Sequence, residues 1–209
     1  MKKIYLVLGM VAFGFANVNA QDGSDTNTAA HDVTMAVSEV ALIDINEAGD
    51  EATTTAFDMA TFQSGIEAGT YDFSEIVPLT FYLNYTSVVS AAAFGSADAE
   101  RTITAELSTA NLPSIVDLVI TPGAFNLVPG GSGAGSQGTA SGALAFNNTL
   151  VAAQDIVQNV ESVYTGDAAV DPTAGLELEY SLVQRAGTTF DQYEAGSYNA
   201  TVLYTISDL

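Results

Sequence analysis

Residues 176–183 read LELEYSLV and residues 198–207 read YNATVLYTIS. In the first stretch Leu176, Leu178, Tyr180 and Leu182 alternate with Glu177, Glu179, Ser181 and Val183. In the second, Tyr198, Ala200, Val202, Tyr204 and Ile206 alternate with Asn199, Thr201, Leu203, Thr205 and Ser207. A side-chain period of two sends each set to one face of a strand, one face buried and the other solvated. Gly187 and Gly196 bracket the connection, which suits a hairpin with a long loop.

Working outward, the same criteria place strands at 33–37, 40–45, 79–89, 102–107 and 115–121. The last is apolar on both faces, as a central strand of a sandwich would be. Ser38 and Glu39 shift the phase between the first two runs, which suggests a bulge or bend. The stretch 150–164 fits a helix with Leu150, Gln154, Val157, Val160 and Tyr164 near one face. It also fits a strand using Ile156, Val160 and Tyr164, and the β-branched residues of its second half favour the strand. Residues 122–142 are rich in Gly, Ser and Ala and read as a long surface loop, or a linker. The flanking segments are too short to bury separate cores, so one domain is expected over 31–209. Many short strands separated by turns predict an all-β fold, an immunoglobulin-like antiparallel β-sandwich.

Residues 1–20 carry the three parts of a secretory signal peptide: Lys2 and Lys3, an apolar stretch from Ile4, and Val18 and Ala20 before Gln21. The apolar run is too short to span about 30 Å of hydrocarbon. Cleavage after Ala20 is expected, leaving a polar tail at 21–30 and no membrane span. The absence of Cys excludes disulfides and a lipid-modified N-terminal cysteine, so the exported domain relies on its hydrophobic core. Such a leader on a Cys-free chain suits export to the surface or periplasm of a bacterium.

After the leader only Arg101 and Arg185 face 25 Asp and Glu, a formal net charge of −23 against −21 for the whole chain. Such a chain repels phosphate backbones and anionic lipid, which argues against nucleic-acid partners. The 48% apolar content separates it from acidic disordered proteins. Self-repulsion of this size is relieved by salt. Raising NaCl from low to a few hundred millimolar is expected to add about 1 kcal/mol, or about 3 °C in Tm. Flat or falling thermal melts would refute this.

Few residues speak for chemistry. Gly133 to Gly138 match the G-x-G-x-x-G fingerprint, but Thr139-Ala140-Ser141-Gly142 follows in place of a phosphate-binding helix. Residues 44–51, DINEAGDE, resemble the start of a calcium loop, with Asp44 first, Asn46 third and Gly49 sixth. Ala48 stands fifth and Thr55 takes the place of the bidentate Glu, which excludes an EF-hand. A looser divalent-ion site remains open there, beside the simpler reading of an acidic turn, and the same holds for Asp167 and Asp171. A glycosidase needs two carboxyl groups about 5 to 9 Å apart, and nothing marks one pair among so many. His31, the only histidine, lies in an extended N-terminal segment and reads as an exposed polar residue. No catalytic residue, metal ligand or cofactor is therefore assigned, and the chain is not expected to be an enzyme.

The C-terminal stretch from Gly196 through Tyr198, Val202 and Tyr204 to Ile206 resembles the final strand of bacterial fimbrial subunits, in the spore-coat-U-like and chaperone–usher pilin families. Many pilins carry a glycine fourteen places from the C-terminus, as Gly196 does here. This chain has Asp208 where they carry a penultimate tyrosine, and it lacks their cysteine pair. Final strands of this kind also occur in WxL-type wall-binding modules. The resemblance implies a non-enzymatic structural or adhesive subunit of a surface assembly, with self-assembly or related surface subunits as partners through strand exchange. Val33, Met35 and Val37 alternate with Thr34 and Ala36 near the start of the mature chain. They are candidates for an exchanged strand, with Gly196, Tyr198, Val202 and Tyr204 as the other interface candidates. The same run also reads as the first strand of the chain's own sheet. The alternative function is a secreted binding module for a carbohydrate, a cation or a cell-wall component; a secreted hydrolase comes third.

Overall fold

The computed structural model describes residues 32–47, 50–52, 54–65, 67–68, 71–90, 99–127 and 135–208. The leader, the tail at 21–30, His31 and Gly133 lie outside the described residues. Two units are distinguished, Met1–Ala36 and Val37–Leu209. Of the first, residues 32–36 are described, and they carry no helix or strand.

The second unit is an all-β sandwich of two antiparallel sheets. Its strands are β1 Val40–Glu47, β2 Asp50–Glu51, β3 Leu79–Val88, β4 Arg101–Asn111, β5 Val116–Asn126, β6 Thr139–Ala140, β7 Leu144–Phe146, β8 Gln154–Val160, β9 Val163–Tyr164, β10 Gly175–Gln184 and β11 Asn199–Asp208. The larger sheet runs β2-β1-β3-β10-β5-β7, with β9 also paired to β3; the smaller runs β11-β4-β8-β6. A short helix, α1 (Met59–Ser64), precedes β3; the Asp58 carboxylate caps it by accepting the Thr61 N–H at 2.9 Å.

One core lies between the sheets. Phe81, Leu83, Ile120, Phe146, Leu176 and Leu178 come from the larger sheet; Ile103, Ala105, Leu107, Ile156, Val157 and Val160 come from the smaller. Phe62, Phe73, Ile76, Ile115 and Val116 form a second cluster. Its Phe62 and Phe73 rings pack with those of Tyr71, Phe190 and Tyr193 in edge-on or tilted contacts at centroid distances of 4.7 to 5.5 Å. Neither α1 nor this aromatic group was expected from the sequence.

The alternation that predicts β10 and β11 is borne out within both strands, except that Tyr198, expected on the buried face, precedes β11 and is 37% exposed. Leu176, Leu178 and Tyr180 are buried while Glu177 and Glu179 are exposed; Val202, Tyr204 and Ile206 are half-buried while Thr201, Leu203 and Thr205 are exposed. The expected hairpin does not form. β10 pairs with β3 and β5, whereas β11 pairs with β4 in the opposite sheet. The inward faces meet across the core, where the Tyr180 and Tyr204 hydroxyls are hydrogen-bonded to each other. Burial is the first cause that raises the pKa of both phenols, and their mutual contact raises that of Tyr204 further.

Four other expectations need correction. Residues 33–37 form no strand. β1 begins at Val40, so Ser38 and Glu39 mark no bulge within a strand. Residues 33–37 pair with no strand among the described residues, and β1 begins where Arg101, 2% exposed, takes hold of the chain. Its guanidinium donates to the Val40 carbonyl and reaches the Glu39 carboxylate at 3.4 Å, so it holds the chain at the strand's entrance. The loop expected over 122–142 begins later, because β5 continues through Asn126 and pairs with β10 as far as Gly175. Thr139–Ala140 is strand β6. Finally, 150–164 is not one element but β8 and β9, with Ile156 and Val160 buried and Tyr164 exposed. Asn159, at φ 59°, breaks the regular conformation within β8.

The register of β11 makes a direct prediction. Val202→Asp puts a carboxylate on the core-facing side and is expected to cost about 3 kcal/mol or more. Thr201→Asp, one residue away on the solvent face, should stay within about 1 kcal/mol. Equal shifts of the urea midpoint in the two variants would contradict the register.

Candidate functional site

Two features could serve function: the free edge of β11 and a polar groove on the outer face of the larger sheet. At β11, the ladder to β4 runs from Asn199↔Asn111 to Asp208↔Arg101; among the described residues no strand is hydrogen-bonded to its other edge, although β1 of the larger sheet lies close to β11. The ten-residue strand carries no proline and no charge before Asp208. The one register shift in its ladder, from Thr201↔Thr109 to Val202↔Leu107, leaves the extra residue, Ser108, on β4. β11 thus lacks the lysines, prolines and bulges by which edge strands resist further pairing.

Of the seven interface candidates, Val33 and Met35 fall in the first unit and Val37, Gly196, Tyr198, Val202 and Tyr204 in the second. Val33, Met35 and Val37 are 82%, 85% and 71% exposed, which leaves their apolar side chains without cover. Gly196 precedes β11, and the Tyr198 hydroxyl donates to the Glu194 carbonyl at 2.7 Å. Val202 and Tyr204 pack against their own core. What β11 offers a partner is therefore its backbone edge and the Thr201, Leu203 and Thr205 side chains.

The groove has a volume of about 420 Å³ and lies between β1, β3, β9 and the segment after β9. It unites two residues singled out separately in the sequence, Asp44 and Asp167. Asp44 sits in a strand, not in a calcium-type loop. Its Oδ1 accepts the Ile45 N–H at 2.9 Å and its Oδ2 accepts from Asn46 Nδ2 at 3.3 Å. Asp167 Oδ1 accepts the Ala169 N–H at 2.9 Å. Asp171 does not line the groove; it accepts the Thr173 N–H and hydroxyl, which lower its pKa.

Beneath the groove, buried Asn46 donates to Asn84 Oδ1 at 2.9 Å. Asn84 in turn donates to the Ala174 carbonyl at 2.9 Å and the Gly166 carbonyl at 3.3 Å. The sequence reading missed this amide pair; its only signal is that both asparagines fall on the polar side of strongly alternating strands. Among the described residues, no three His, Cys, Asp or Glu side chains gather as metal ligands. The described part of the glycine-rich motif leads into a strand. Ser136 N donates to Glu161 Oε2 at 2.7 Å, Gly138 N donates to Ser136 Oγ at 3.0 Å, and β6 follows.

Among the described residues no helix is long and apolar enough to cross a membrane. No family model matches the chain, and neither a curated protein nor a solved structure is similar to it.

Proposed function

We propose that the chain is a non-enzymatic, exported structural or adhesive subunit of a bacterial surface assembly. Its copies, or related subunits, would be joined by strand pairing. One observation carries the reading: a long uncharged sheet edge coexists with an apolar alternating segment that is exposed and outside any strand. An extended segment added to an open edge gains main-chain hydrogen bonds, and its alternate side chains gain burial. Val33, Met35 and Val37 supply those side chains, and β11 supplies the edge. The likeness of residues 196–206 to pilin final strands and the secretory leader support the same reading, as does the shortage of catalytic groups.

Deletion of residues 21–37 tests it. The truncated protein should keep its circular dichroism and cooperative unfolding, because residues 32–37 contribute no strand. The full-length mature protein should form oligomers on gel filtration and in negative-stain images, and the truncated protein should not. A synthetic peptide covering 31–39 should bind the truncated protein and slow its proteolysis. Leu203→Lys, on the exposed face of β11, should block assembly without a loss of fold. Unchanged assembly in both variants would overturn the reading.

A further inference from the structure

We propose that the groove beside Asp44 and Asp167 is a binding site for an uncharged saccharide. The site is independent of the β11 edge. Its volume, about 420 Å³, falls in the range of small-molecule sites and is far larger than one ion requires. Among the described residues neither Arg nor Lys lines it. In a chain of this charge, the carboxylates of Asp44 and Asp167 in the groove's lining repel phosphates, carboxylates and sulfates. What remains is a ligand that donates hydrogen bonds and carries apolar surface.

The walls match both requirements. Each carboxylate accepts a backbone N–H, from Ile45 and Ala169, and Asp44 also accepts from Asn46 Nδ2 through its second oxygen, so both are held in fixed orientations. A carboxylate has about four acceptor positions, so both retain capacity for hydroxyl donors. Leu42 and Tyr164 are exposed and line the same groove, offering an aliphatic and an aromatic surface to the C–H faces of a sugar ring. The floor is rigid before any ligand arrives. Asn46 and Asn84 are 4% and 6% exposed, locked to each other and to the Ala174 and Gly166 carbonyls. Such preorganisation lowers the entropic cost of binding a weak, hydroxyl-rich ligand.

The test uses the mature full-length protein on an array of neutral and charged glycans. Neutral hits are then titrated by calorimetry or NMR, with spermidine titrated as a cationic probe. Binding of a neutral glycan is expected, weakened about tenfold or more by Asp167→Asn and by Tyr164→Ala. Asp167 is exposed, so its variant should keep the wild-type melting temperature even if Tyr164→Ala loosens β9. Leu203→Lys should leave glycan affinity unchanged, which separates this site from assembly through β11. The proposal is overturned if no neutral glycan binds, if binding survives Asp167→Asn at full strength, or if only spermidine binds in the groove.

Discussion

Gly175→Ala is expected to leave little folded protein. Gly175 opens β10 at φ +107°, a conformation that L side chains rarely adopt. A Cβ there would lie 2.4 Å from the Leu83 carbonyl oxygen and 2.9 Å from its carbon, both in the backbone of β3. The β3–β10 ladder, which starts at Leu176↔Leu83, would have to separate to admit it. Strain and overpacking together should cost about 4 kcal/mol or more, much of the 5–15 kcal/mol that holds an ordinary domain together. Gly187 supplies the control. It also has positive φ, +80°, but nothing lies within 4 Å of its hypothetical Cβ. Gly187→Ala should therefore cost only about 1–2 kcal/mol for the backbone conformation. Chemical denaturation of the two variants reads the difference directly, and equal midpoints would contradict the close approach of β10 to β3.

Arg101→Met is expected to cost about 3–5 kcal/mol, because it strands buried acceptors as well as removing a charge. The guanidinium, 3% exposed, reaches from the smaller sheet to β1 and β3 of the larger. It donates to the Val40 carbonyl, to Ser87 Oγ at 3.3 Å and to the Val88 carbonyl at 3.2 Å. The Glu39 side chain is 38% exposed, so the ion pair itself is partly screened, and most of the loss falls on the unpaired carbonyls. Arg101→Lys should rescue little, since one ammonium cannot reproduce a planar fork of donors. Arg185 is the comparison. Its pair with Asp117, at 2.8 Å, is partly exposed on both sides, and Arg185→Met should cost about 1 kcal/mol. Urea unfolding that ranks the two arginines the other way would show that Arg101 is not what ties the sheets at this point.

The contrast between the arginines also marks what could be read from the chain alone. Both stand out in composition as the only cations after the leader, yet no local pattern distinguishes the buried one from the exposed one. That distinction depends on which strands cross above Arg101, a long-range property. The strands were legible where one face is buried and the other carries charge, as with Glu177 and Glu179 between Leu176, Leu178 and Tyr180. Their partners were not legible. Alternation specifies a buried face but not a neighbour, so consecutive β10 and β11, suited to a hairpin, divide between two sheets. The run 33–37 failed for the converse reason, since alternation without a neighbouring strand brings no burial. Half of the groove was visible, because Asp44 and Asp167 stood in acidic turn-like sequences. Their proximity, and the Asn46–Asn84 lock beneath them, required the fold.

The hydroxyl contact between Tyr180 and Tyr204 gives this protein a built-in optical reporter. The chain has nine tyrosines and no tryptophan, so its near-ultraviolet signal belongs to phenols. These two belong to opposite sheets and meet only when the sandwich is closed. Folding raises both pKa values, so the neutral pair stabilises the closed form fully below the unfolded phenol value of about 10. That contribution drains away as the pH rises through the folded values. Tyr85 and Tyr193 are shifted upward too, so in an alkaline titration it is the phenolate absorbance lost in Tyr180→Phe and Tyr204→Phe that times the parting of the two layers, separately from any far-ultraviolet loss of strand.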